Sequence, residues 1–112
     1  MKMNVSLFIK DFELGTQVSS KLTELDSPFE FCEKSSDVSD LTQLVIVDLD
    51  NEETGNEFFI HQMASDRNDI QIVGYMKQVQ KRYHEKFKTA GCSVIFPKSS
   101  LVKNLSTFIK SK

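Results

Sequence analysis

A chain of 112 residues, 39% hydrophobic and 27% charged with four glycines and two prolines, carries enough apolar material for one continuous core and lacks the composition of disordered or fibrous proteins. No apolar run approaches the roughly 20 residues of a membrane span, and residues 1–4 lead straight into a strand, so a cytoplasmic protein with a single domain over 1–112 is expected. The formal charge of −2 conceals a split, because residues 1–60 hold thirteen acids against four bases and residues 61–112 hold three acids against ten.

Short apolar runs alternate with amphipathic stretches, the pattern of a parallel sheet covered by helices. Residues 5–9 form the first run. Over 12–25, Leu14, Val18 and Leu22 recur every fourth residue with Lys21 and Glu24 facing outward, which predicts a helix. Asp26-Ser27-Pro28 breaks it, and 29–32 reads as a short second strand. A polar, serine-rich stretch follows at 33–40. Residues 44–47 are continuously aliphatic, as in a strand buried on both faces, and the run ends abruptly at Asp48-Leu49-Asp50-Asn51.

Residues 52–65 read as a helical element whose apolar face is Phe58, Phe59 and Met63, and 70–75 as the fourth strand. Val79, Tyr83 and Phe87 then repeat at helical spacing among basic residues, and Ala90-Gly91 closes that helix with a C-terminal glycine. Residues 93–96 give strand five. Ser99 or Ser100 is expected to cap a last helix carrying Leu101, Val102, Leu105, Phe108 and Ile109. Cys32 and Cys92 are far apart, with no CxxC and no histidine at ligand spacing, so they read as buried thiols rather than a zinc or redox site.

Five strands alternating with helices predict a flavodoxin-like doubly wound α/β sheet of order 2-1-3-4-5, whose ligand site lies beyond the carboxyl ends of the strands. Asp11 follows strand one, Asp48 strand three and Lys98 strand five, so the topology converges these three on one crevice. The connection at 33–43 is short for a full crossover helix, so the second helix is expected to be shortened or missing, leaving one sheet face less covered and open to a partner.

Three segments resemble the CheY-like receiver domains of two-component response regulators. They are Lys10-Asp11-Phe12 after strand one, Leu44-Val45-Ile46-Val47-Asp48-Leu49-Asp50 at strand three, and Ala90-Gly91-Cys92-Ser93-Val94-Ile95-Phe96-Pro97-Lys98 at the end. The resemblance implies phosphoryl transfer to a carboxylate with a divalent cation. Asp48 would be the acceptor and Lys98 the phosphate contact. Asp11, Asp48 and the main-chain carbonyl of Asp50 would hold magnesium. Read without the resemblance, Asp11 and Asp48 end strands or cap helices, and Lys98 is a solvated lysine.

Departures from the family pattern define an atypical receiver, or pseudo-receiver. Lys10 replaces the first acid of the pair, which should weaken magnesium binding, and its ammonium could pair with Asp48 and imitate the metal. Glu13 is a substitute ligand or a helix-dipole acid. No serine or threonine lies between Asp66 and Lys88, so Tyr75, Met76 or Lys77 takes the place of the family's hydroxyl, and Ile95 takes that of its aromatic switch.

The expected function is signal transduction through protein–protein contact, without enzymatic catalysis and with phosphorylation weakened or absent. The expected partner is a kinase or an output protein, or a second copy meeting the basic C-terminal half. The alternative is a conventional magnesium-dependent phosphorelay receiver with acceptor Asp48. A third reading, nucleic-acid binding through Lys77, Lys81, Arg82, Lys86 and Lys88 with Tyr83 and Phe87 interleaved, is weaker because the aromatics fall on the buried face. Flavin binding is disfavoured by the lack of a phosphate loop after strand one. His61 and His84 read as exposed helix residues.

Overall fold

The computed structural model describes residues 3–109. Its elements in chain order are β1 (Asn4–Phe8), α1 (Phe12–Glu24), β2 (Phe29–Phe31), a single 3₁₀ turn at Ser35–Asp37, β3 (Thr42–Asp48), α2 (Glu57–Asp66), β4 (Gln71–Met76), α3 (Lys81–Ala90), β5 (Val94–Pro97) and α4 (Lys98–Phe108). All strand pairs are parallel and the sheet order is β2-β1-β3-β4-β5, as the alternation predicts.

Side-chain alternation along the strands builds two apolar layers. Val5, Leu7, Leu44, Ile46, Val73 and Tyr75 pack under the helix faces of α1 and α4, where Leu14, Val18, Leu22, Leu101 and Leu105 are buried. Phe8, Val45, Val47 and Ile72 lie on the opposite face with Ile60 and Met63 of α2 and Phe87 of α3. Burial of Leu44 to Val47 on both sides explains why that run is aliphatic without a break.

The shortened second crossover takes the expected form of a stub, but the sheet face beside it is not left open. Val38 from that connection packs on the layer containing Phe8 and Cys32, and Phe8 meets Phe59 edge to face at 5.3 Å. Arg67, at the C-terminus of α2, pins the connection. Its guanidinium donates to the carbonyls of Ser39 at 3.0 Å and Thr42 at 2.9 Å while pairing with Asp69 at 3.0 Å. Phe8 is consequently only 2% exposed.

Three local expectations shift. The segment after β3 is helical only from Glu57, because Asn56 caps α2 by accepting the Phe59 amide at 2.7 Å. That phase turns Ile60 and Met63 inward and leaves Phe58 77% exposed, so Phe58 is not on the apolar face. Val79 lies outside α3, before its Gln80 cap, although it still packs against the core. Helix α4 starts at Lys98 directly after β5, with Pro97 in the cap position and no side-chain cap, so neither Ser99 nor Ser100 caps it.

Two backbone turns follow from residue type. Gly91 ends α3 at φ 144°, a region glycine alone enters without strain, and its amide returns to the carbonyls of Phe87 and Lys88. Asp26, with φ 59°, ends the approach from α1 in the left-handed conformation that aspartate tolerates.

Candidate functional site

The carboxyl ends of β1, β3 and β5 lie at one edge of the sheet, and the side chains placed there by sequence spacing do meet. Asp11 is the N-cap of α1. One carboxylate oxygen, Oδ1, accepts the Leu14 amide at 3.0 Å, and Oδ2 accepts the Lys98 ammonium at 2.5 Å, a contact between residues 87 positions apart. Lys98 reaches it because α4 begins at that residue, so its side chain leaves the first turn toward α1. The capping role and the pocket role of Asp11 thus coexist.

Asp48 is the last residue of β3, half-buried, with Tyr75 beside it in register on β4. Its Oδ1 accepts the Asp50 amide at 2.9 Å, and its carbonyl accepts the buried hydroxyl of Thr54 at 2.7 Å. Asp50 in turn accepts the Lys77 amide through Oδ2 at 2.8 Å, tying the loop after β3 to the loop after β4. The next residue, Leu49, is buried over Gly74, where an added Cβ would stand 2.5 Å from Leu49 Cδ1. Gly74 therefore admits the side chain that seats Asp48.

Electrostatics separate the acids. Lys98, followed by the Leu14 amide, holds Asp11 below the usual carboxylate range. Burial raises Asp48, opposed by its hydrogen bond from the Asp50 amide. The Lys98 ammonium is raised by its hydrogen bond to Asp11, with the charges of Asp48 and Asp50 acting in the same direction. A cavity of about 350 Å³ opens beside this cluster, lined by Asp11, Glu13, Gln17, Lys77, Lys98 and Ser99.

The expected pairing of Lys10 with Asp48 is not what the structure contains. The Lys10 ammonium lies 2.9 Å from Glu53 Oε1, with both side chains largely in solvent. Lys10 is an exposed residue on a flexible stem, and the Glu53 carboxylate offers an ion pair without burial, whereas the Asp48 pocket already holds Lys98. The cation beside the acids is Lys98.

The expected magnesium ligands are Asp11, Asp48 and the main-chain carbonyl of Asp50. Among the described residues no three His, Cys, Asp or Glu side chains come together as a group able to hold a metal ion. Both Asp11 oxygens are engaged by donors of the chain, and Asp48 and Asp50 each commit one oxygen to a main-chain amide. Magnesium demands near-ideal octahedral oxygen geometry, and the residues as arranged fit it poorly, because Lys98 holds Asp11 and Lys10 brings no oxygen where a second acid would stand. Glu13 stands exposed in the first turn of α1, at the cavity rim.

One feature of the site is hard to read from spacing. Tyr75 is 1% exposed and its ring packs in the layer under α1 and α4, yet its buried hydroxyl makes no well-aligned hydrogen bond, with the Asp48 carboxylate as its neighbouring acceptor. Burial drives its ionisation far upward, and the next largest influences are the charges of Asp48 and Asp11, so the phenol faces the acids as a neutral group. A polar-tipped aromatic inside an otherwise apolar strand is the signal that singles it out. Ile95 is buried on the opposite face with Phe87, a purely apolar contact.

No family model matches the sequence, and no curated protein resembles it in sequence. Solved structures do match in shape. A response regulator from Thermotoga maritima superposes with a TM-score of 0.81 at 14% identity, covering 99% of this chain and 100% of its own. The fold is that of a receiver domain. The phosphorylated cyanobacterial phytochrome response regulator RcpA matches at 0.79 and 10% identity, over 99% of this chain and 96% of its own. An atypical orphan response regulator, described with a phosphorylation-independent regulatory mechanism, matches at 0.73 and 15% identity over 94% and 93%. A phosphorylated response regulator and one described with a phosphorylation-independent mechanism thus share this architecture, so the fold alone does not set the function.

Proposed function

We propose that this chain is an atypical receiver module that transmits a signal by binding a partner protein in the cytoplasm, with phosphorylation weakened or absent and with no enzymatic turnover. The observation that carries this reading is the state of the pocket. Asp11, Asp48 and Lys98 occupy receiver-like positions, yet Lys98 is on Asp11 and Lys10 turns away to Glu53. The aromatic switch position is filled by buried Ile95. A kinase or an output protein is the partner class that suits the fold, and the exposed bases of α3 offer a charged surface for such a partner or for a second copy.

A second reading, a phospho-accepting receiver with Asp48 as acceptor and Lys98 as phosphate contact, is favoured by the proximity of Lys98 to the three acids. Nucleic-acid binding has less support. Arg82 and Lys86 lie over the Tyr83 ring at 4.9 and 5.4 Å, and Phe87 is buried, so the aromatics are already occupied within the chain. Incubation with a small acyl-phosphate donor and magnesium, followed by intact-mass measurement, separates the first two readings. The proposal expects little or no adduct, and an abundant adduct lost in Asp48→Asn would overturn it.

A further inference from the structure

We infer that the acidic pocket is closed to divalent cations because Lys98 is its resident cation, held on Asp11 in the place where a metal would have to bind. This deepens the proposed function, resting on the reading of the Asp48 pocket as a receiver site, and supplies a physical cause for its weakened phosphorylation.

Asp11 has two carboxylate oxygens, and each already accepts a hydrogen bond, one from the Leu14 amide at 3.0 Å and one from Lys98 Nζ at 2.5 Å. The ammonium bond is charge-assisted and short, and the ion pair is two-thirds shielded from solvent, so it is stronger than a typical surface pair. A divalent ion at Asp11 Oδ2 would have to compete with the Lys98 ammonium, and it would also abandon part of its own hydration shell, which magnesium gives up reluctantly.

The remaining acids do not compensate. Asp48 and Asp50 each commit one carboxylate oxygen to an amide, from Asp50 and Lys77 respectively, and the second of these bonds ties the loop after β3 to the loop after β4. The residue before Asp11 is Lys10, which supplies no oxygen ligand and pairs with Glu53 outside the pocket. Lys98 also feels Asp48 and Asp50, so its charge screens all three acids at once.

The role of Lys98 makes a gain of function the natural test. Lys98→Met keeps the length of the side chain and removes the charge, which frees Asp11 Oδ2. Amide resonances of Asp11, Asp48, Asp50 and residue 98 would be followed by NMR while magnesium chloride alone is added to the full chain at constant ionic strength. The wild-type protein should show no saturable shift at these positions. Lys98→Met should acquire one, and Lys98→Met combined with Asp11→Asn should lose it again.

In the unmodified protein the Lys98 Nζ resonance should stay in place throughout, a readout that holds even if a variant folds poorly. Saturable binding by the wild type, displacement of its Nζ resonance, or failure of a folded Lys98→Met to gain binding would each overturn the inference. These outcomes are distinct from failure of the proposed function, which is read from the phosphodonor adduct and not from the metal.

Discussion

Replacing Tyr75 by phenylalanine should stabilise the protein. The ring is 1% exposed and packed in the core layer with Val73, Leu101 and Leu105, so phenylalanine fills the same space, while the hydroxyl it removes is buried beside Asp48 without a well-aligned hydrogen bond. Leaving a buried polar group unpaired costs about 1–3 kcal/mol relative to its hydrated state in the unfolded chain. Some contact is lost with the oxygen atom, so a net gain of about 1–2 kcal/mol is expected. At this chain length that is a rise in Tm of about 4 °C per kcal/mol.

Urea unfolding at neutral pH measures the gain as a higher midpoint with an unchanged slope, since the buried surface is the same. A loss of about 1.5–3 kcal/mol would refute the reasoning, because that is the worth of a hydrogen bond to a charged group and would mean that the phenol donates to the ionised Asp48 carboxylate. A neutral result would mean that the hydroxyl finds water. The outcome matters for function, since a side chain retained at a cost to stability points to a role in the site.

Asp48→Asn should also stabilise at neutral pH. Burial raises the folded-state pKa of Asp48 above its ordinary value of 3.8, so the folded state holds the proton more tightly and stability declines as pH rises through that range. The gain should therefore vanish in acid, as thermal melts at several pH values would show. Asp11 has the opposite sign, because its folded pKa is lowered. Its contribution is present above 3.8 and is lost as pH falls through the depressed value, so Asp11→Asn should destabilise at neutral pH and flatten the acid limb of the same melts. Arg67→Ala should cost about 2 kcal/mol by removing charged donors to the carbonyls of Ser39 and Thr42, and hydrogen exchange should quicken over 33–41. Gly74→Ala should cost about 1–3 kcal/mol because its Cβ collides with buried Leu49, which urea midpoints would record.

The sheet was legible because its signals are local and redundant. The aliphatic run at 44–47, the every-fourth-residue leucines and valines of α1, and Gly91 after a basic helix each admit one main reading, and together they give the strand order. The convergence of Asp11, Asp48 and Lys98 followed from topology alone, since each closes a strand of the same sheet edge.

What escaped was directional. Lys10 and Glu53 are 43 residues apart and find each other in solvent, a choice of rotamer that spacing does not encode. Helix α4 starts at Lys98 without a side-chain cap, against the serine capping signal, and that start is what brings the ammonium to Asp11. The short crossover covers its sheet face through Arg67, whose long-range bonds to carbonyls leave no trace in composition. Fold therefore emerged from periodicity, whereas the condition of the site depended on which of several lysines reached which acid.

The central proposal is an Asp48 pocket that keeps the receiver arrangement with its phosphoryl chemistry weakened or absent. Intact-mass spectrometry after incubation with a small acyl-phosphate donor, with and without magnesium, tests it most directly. The account predicts a wild-type mass that stays essentially unmodified and does not respond to magnesium. A near-stoichiometric adduct that requires magnesium and disappears in Asp48→Asn would contradict it.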